Sequence, residues 1–129
     1  MRGLPLLLSV TGLTARFRSL LRQYPNGFVC AIQVQRGVVP GLSRRWNVGF
    51  GQLERGLLTW VRVFGRRAPI QLALVNSVVG QPRGDRVFAI AGTSNDRVRI
   101  AIWTAARDRD RLLTGLPDCK VEPDVNHNT

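Results

Sequence analysis

The sequence predicts a mainly β fold: an antiparallel β-barrel or sandwich capped by one C-terminal α-helix and led by an apolar N-terminal helix. Three observations carry that prediction. From Phe28 to Ile102, short runs of alternating apolar and polar side chains recur between clusters of Gly, Pro, Asn and Asp, the pattern of half-buried strands joined by tight turns. After them one stretch, Ala105 to Leu116, places its apolar residues along a single helical stripe. Ahead of them MRGLPLLLSVTGLTA is nearly uncharged and runs straight into Arg16, Arg18 and Arg22. With 129 residues there is material for one core. The expected organisation is therefore 1–23 as a helix with a basic flank, 24–116 as the folded domain, and 117–129 as a flexible acidic tail.

Gly3 to Leu21 reads as helix, with Pro5 in the first turn, where its missing N–H is not needed, and Gly12 weakening the middle. Its apolar part, Gly3 to Ala15, covers about two-thirds of the ~20 residues that a hydrocarbon core requires. Three readings follow: a truncated membrane helix first, an amphipathic helix lying on a membrane or on the domain second, a secretory signal third. The third is weakened by Arg16 and Phe17, which stand where a cleavage site needs small residues. Tyr24, Pro25, Asn26 and Gly27 stop the helix.

A strand then runs through Phe28, Cys30, Ile32 and Val34, alternating with polar positions such as Gln33 and Gln35. After the loop RGVVPGLSRR, the run Trp46, Val48, Phe50 predicts a second strand with Trp46 on its core parity and Asn47, Gly49 and Gly51 opposite. The two glycines suit a bent strand or the close approach of another chain segment. Glu54, Arg55 and Gly56 make a tight reversal, so Trp46 to Leu53 and Leu57 to Phe64 should form a hairpin, with Trp60 in the core. After GRRAP come Ile70 to Val79, as one or two short strands, a turn at Gln81 to Asp85, and a strand at Val87 to Ala91. Gly92 to Asp96 turns the chain again. The last strand alternates Val98, Ile100 and Ile102 with Arg97, Arg99 and Ala101. Thr104 is placed to cap the closing helix, and Pro117 ends it.

The formal net charge is +11, and 18 of the 19 basic residues are arginine, with Lys120 the exception. A GC-rich coding sequence accounts for arginine over lysine but not for the imbalance of sign. Such a potential favours an anionic partner, either phospholipid headgroups or nucleic acid. Residues 1–116 hold 18 basic against 5 acidic side chains, whereas the tail PDCKVEPDVNHNT is acidic and has no periodic apolar face. Cys30 and Cys119 form no disulfide framework and are expected as free thiols, Cys30 in the core.

Catalysis finds little to work with. The single histidine, His127, lies in the tail, away from any packed shell that would orient it, so neither a triad nor a zinc site is expected. Asp108 and Asp110, two apart on a helix, point in different directions among Arg107, Arg109 and Arg111. Gly49-Phe50-Gly51 lacks the third glycine of a phosphate loop and the helix that would receive the phosphate. The expectation is a chain with no enzymatic activity and no cofactor. Anion binding is better supplied. Arg44 and Arg45 precede one strand, Arg62 lies within the next, Arg66 and Arg67 follow it, and Arg97 and Arg99 line the last strand, so the proposed pairing would bring several guanidinium groups together as an anion or partner surface. Arg16, Arg18 and Arg22 are the candidate contacts to an anionic membrane. Nucleic-acid binding is the runner-up: Trp46, Trp60, Trp103 and Phe64 would stack on bases if exposed, but the parity of Trp46 and Trp60 predicts them in the core.

The order of features resembles an actinobacterial family of single-pass membrane proteins whose soluble part is similar to pleckstrin-homology (PH) or GRAM domains. The resemblance runs from about Phe17 to Pro117. It rests on the basic stretch Arg16 to Gln23, Phe28-Val29-Cys30, Trp46 with Gly49, the strand Leu58-Thr59-Trp60-Val61-Arg62-Val63, Arg66-Arg67, the turn Pro82-Arg83-Gly84-Asp85, and Ile100-Ala101-Ile102 leading to Thr104. Arg86 stands where the family tends to an acidic residue and Gln81 where it tends to arginine, and the apolar segment is about half of a full span. The resemblance implies a PH-like barrel and a bacterial membrane location, with no established activity or cofactor. With the arginines retained on the cytoplasmic side, the β domain is expected there too. The expected partner is a membrane surface or anionic lipid, or a protein, with nucleic acid the alternative.

Overall fold

A computed structural model describes residues 15–63 and 68–123. Six strands follow one another as an antiparallel meander: β1 (Phe28–Arg36), β2 (Asn47–Glu54), β3 (Leu57–Arg62), β4 (Ile70–Val79), β5 (Arg86–Thr93) and β6 (Arg99–Ala105). β1 pairs with β6 as well as β2, and β3 with β4, so the sheet closes on itself. The predicted choice between barrel and sandwich resolves to a six-stranded antiparallel barrel, which leaves no open edge among these strands except where β4 bends. That bend lies at a bulge between Val75 and Val78, where Asn76 takes a φ of 53°. It lets one continuous strand pair with β3 through residues 70–73 and with β5 through its later half.

The β2–β3 reversal is the two-residue turn that the sequence calls for, with Arg55 and Gly56 both at positive φ (49° and 82°). Inward-facing Phe28, Cys30, Ile32, Trp60, Val87, Ile100 and Ile102 fill the barrel. After β6 comes a single 3-10 turn, Ala106–Asp108, then α2 (Arg109–Gly115), whose Leu112, together with Leu116 just beyond it, closes one end of the core. This helix is shorter than the predicted Ala105 to Leu116, and Thr104 does not cap it. Thr104 instead lies on the inward parity of β6, paired with Cys30 and Val87, and its hydroxyl donates to the Val29 carbonyl at 2.6 Å. Sheet pairing on both sides claims the backbone there before a helix can begin.

The parity of β2 is the clearest correction. Trp46, expected in the core, is 41% exposed, and Val48 is 55% exposed. Asn47, Gly49, Gly51 and Leu53 face inward instead. The reason is volume together with hydrogen bonding. A Cβ at Gly49 would run into the Trp60 indole, and one at Gly51 would lie 2.9 Å from the Cys30 sulfur. Trp60 on β3 fills the space those glycines leave, and its Nε1 donates to the Cys30 carbonyl at 3.3 Å. The inward Asn47 is saturated: its amide donates to the carbonyls of Ile32, Ser43 and Arg45, and its Oδ1 accepts from Ser43 and Arg62.

Residues 15–23 are helical (α1) and lie on the outside of the barrel. Leu20, fully buried, packs on Phe50 and Val61, and the Phe17 ring meets Phe50 edge-on at 5.5 Å. This part of the N-terminal helix therefore behaves as a helix lying on the domain; residues 1–14, which include most of the predicted apolar run, lie outside the described residues. Part of the acidic tail is also engaged. Lys120–Val121 form β7, parallel to the end of β4, and Gln81 Nε2 donates to the Glu122 carbonyl at 2.8 Å. The pairing needs no apolar periodicity because the bend in β4 leaves backbone groups free there.

Candidate functional site

An antiparallel meander sends alternate connections to opposite ends of the barrel. The end closed by α2 receives the β2–β3 and β4–β5 turns and the tail, and with them Glu54, Asp85, Asp108, Asp110, Asp118 and Glu122, which offset the cations around them. The opposite end receives the β1–β2 and β5–β6 connections and the last residue of β3. Arg36, Arg44, Arg45, Arg62, Arg97 and Arg99 all fall there, against one described carboxylate, Asp96. Topology rather than local sequence makes this asymmetry.

Contacts hold these loops against one another. Arg36 bonds both the Asp96 carboxylate (2.8 Å) and the Asp96 carbonyl (2.9 Å), tying β1 to the β5–β6 turn. Gly37 lies directly against the Arg97 backbone, so closely that no side chain fits. Arg44 donates to the Gly37 carbonyl at 3.3 Å, and Arg99 faces Arg36 across the β1–β6 ladder. Of the residues singled out in the sequence, Arg44, Arg45, Arg97 and Arg99 are exposed at this end. Arg62 is half-buried and structural: it donates to the Gly41 carbonyl (2.7 Å) and to Asn47 Oδ1 (3.0 Å), pinning the β1–β2 loop, with its guanidinium 5.7 Å from the Trp60 ring centroid. Arg66 and Arg67 lie outside the described residues, as do Phe64 and His127. Arg97 sits in the turn before β6 rather than on the strand.

Arg36 was not among the sequence candidates. Its signal was its place as the last residue of a strand opposite the Asn95-Asp96 turn, which is visible only once β1 and β6 are paired. The three N-terminal arginines separate. Arg16 is half-buried and donates to the Val63 carbonyl, just past the end of β3, at 2.8 Å, whereas Arg18 and Arg22 are exposed. The beginning of α1 therefore lies towards the arginine-rich end. No helix among the described residues is long and apolar enough to cross a membrane.

On the barrel's outer wall, Trp46 packs against Phe88 and Trp103 with ring centroids 6.1 and 6.5 Å apart, and the Arg86 guanidinium sits 4.9 Å from the Trp103 ring centroid. Register explains the row: Val48, Ala31, Trp103 and Phe88 are successive partners across β2, β1, β6 and β5, all with outward side chains. The expected core parity for Trp46 concealed this face. Both cysteines are free, and Cys30 is buried inside the barrel, where desolvation, helped by the nearby Asp108 charge, pushes its thiol up to about 12. Compared with protein-family models, curated proteins and solved structures, the chain matches none, so its own geometry carries the functional reading.

Proposed function

We propose that this chain is a non-enzymatic, membrane-associated bacterial domain whose arginine-rich barrel end binds an anionic lipid surface. The observation that carries the proposal is the segregation of charge, six described arginines against Asp96 at one end while the other end is nearly balanced. A guanidinium presents a planar fork of donors that suits phosphate, and cations near an anionic bilayer contribute about 1 kcal/mol each. The Arg16 bond to Val63 supports the same orientation, because it sets the start of α1 towards the same end. The PH-like or GRAM-like character and the kinship with actinobacterial single-pass membrane proteins belong to this proposal, as does a cytoplasmic position for the barrel; a closed barrel with a helix over one end is compatible with them. An acidic protein surface is the other partner this end would accept.

Co-sedimentation with vesicles tests the reading. The chain should pellet with phosphatidylglycerol-containing vesicles and not with phosphatidylcholine alone. Replacing Arg44, Arg45, Arg97 and Arg99 by alanine should weaken binding by about fivefold per residue. Equal binding to both vesicles, or no loss in the variant, overturns it. Retention on single-stranded nucleic acid without vesicle binding would favour the soluble nucleic-acid-binding barrel instead, with exposed Trp46 available for stacking.

A further inference from the structure

A groove of about 570 Å³ crosses the outer wall between α1 and the sheet, away from the arginine-rich end. Phe17 and Leu21 of α1, with Val48 on the strand that α1 covers, form one side and Trp103 the other, with Val29 and Ala31 between them. Leu21 and Val48 keep 43% and 55% of their surface exposed, so apolar area stands open to water along that side. At the far end the chemistry changes to Arg86, Arg107, Asp85 and Asp108. Asp108 is engaged by Arg111 at 3.3 Å, and Asp85 lies 3.7 Å from Arg86. Three guanidinium groups thus meet two carboxylates there, and Arg107 has no ion-pair partner among the described residues. The Trp103 indole nitrogen, in the groove wall, is buried with no hydrogen-bond partner.

From this geometry we infer that the groove binds a single-chain anionic amphiphile, a fatty acid or its close equivalent, with the alkyl chain over Val29 and Ala31 between α1 and Trp103 and the headgroup at Arg86 and Arg107. The volume lies in the range of small-ligand sites. An apolar floor ending at Arg107, a guanidinium with no ion-pair partner among the described residues, is complementary to an alkyl chain ending in an anion. Stacking of nucleobases fits less well, because Trp103 is already covered by Arg86 and the Trp46 ring is tilted by 58° and 56° against Phe88 and Trp103 rather than laid out with them as an open platform.

Laurate, kept below the concentration at which it forms micelles, is the probe, and tryptophan emission is the readout. Laurate should produce a saturable change, and dodecanol, with the same chain and no charge, should bind about tenfold more weakly. Val48→Asp and, separately, Leu21→Asp should each weaken laurate by about tenfold, because both residues are exposed and neither change reaches the core. Arg86→Ala with Arg107→Ala should bring laurate down to the affinity of dodecanol. The absence of saturation, wild-type affinity in both aspartate variants, or equal affinity for laurate and dodecanol overturns the inference. The Arg44, Arg45, Arg97 and Arg99 alanine variant should retain laurate binding whatever happens to its vesicle binding, which separates this groove from the membrane proposal. Saturable binding of laurate in the absence of vesicles identifies the free fatty acid as the source; binding seen only when laurate is supplied in vesicles overturns it in favour of the bilayer.

Discussion

Among single residues, Cys30 has the sharpest chemistry, because the barrel encloses its thiol and makes the thiolate costly. The ordinary thiol pKa of 9.0 applies to the unfolded chain and about 12 to the folded one. A raised value means that the folded form holds its proton while the unfolded form has lost it. The contribution of the protonated thiol is thus complete below pH 9 and is lost as pH rises towards 12, at more than about 1 kcal/mol per pH unit. Denaturant titrations across that window should show the decline in wild type and a flatter profile in Cys30→Ala; parallel profiles would mean that the thiol ionises as easily inside as outside. With a neutral thiol reagent, Cys119 should react in the folded protein and Cys30 only on unfolding. Asn47 makes the complementary point. A polar side chain inside a barrel is tolerable here because every donor and acceptor on it is used, four of its contacts fixing the loop that carries Arg44 and Arg45.

For the elements, the glycines of β2 and the tryptophan of β3 form one packing unit. Gly49 cannot accept a methyl group without displacing the Trp60 indole or the Val61 carbonyl beside it, so Gly49→Ala should cost about 1–3 kcal/mol in equilibrium unfolding. Trp60→Phe should recover part of that loss in the Gly49→Ala background, although alone it is destabilising, and strictly additive costs would show that the two do not meet. The same pair shows what was legible in the sequence. Alternation together with turn signals located the barrel strands to within a few residues, because in a sheet the period of burial is fixed by the backbone, while Ile70 to Val79, apolar on both sides and read as one or two strands, proves to be one bent strand. Alternation failed on which face of β2 points inward. The inside is decided there by a side chain from the neighbouring strand, and Phe50 is covered by a helix on the outside, so large residues lie outward and small ones inward. Thr104 misled for a related reason: a good capping residue is also a good strand residue, and pairing with two neighbours settled it. The candidate arginines were legible as residues but not as a group, since only barrel closure sets Arg36 and Arg99 opposite each other.

For the whole molecule, the consequence of barrel closure is a lopsided charge distribution, and that distribution has an energetic cost even without a partner. Six described arginines share one end with a single carboxylate, itself committed to Arg36, so like charges face each other across loops held in contact. Self-repulsion of this kind opposes the compact state and is relieved by counterions. Raising salt from about 0.01 M to about 0.1 M shortens the screening length from ~30 Å to ~10 Å, which reaches across the barrel end. The melting temperature should therefore rise with salt over that range by a few degrees, corresponding to roughly 1 kcal/mol. Removing charge where it is crowded should blunt the response: Arg44→Gln with Arg97→Gln should be more stable than wild type at low salt and less responsive to added salt. Arg83→Gln is the control, because Arg83 lies at the end where carboxylates already offset the cations, and it should leave the slope unchanged. Equal slopes in wild type and both variants would mean that the crowding of guanidinium groups at the barrel end is too well solvated to matter. Their attraction for an anionic surface would then have to be correspondingly weak, because the field that repels one arginine from another is the field that would draw phosphate.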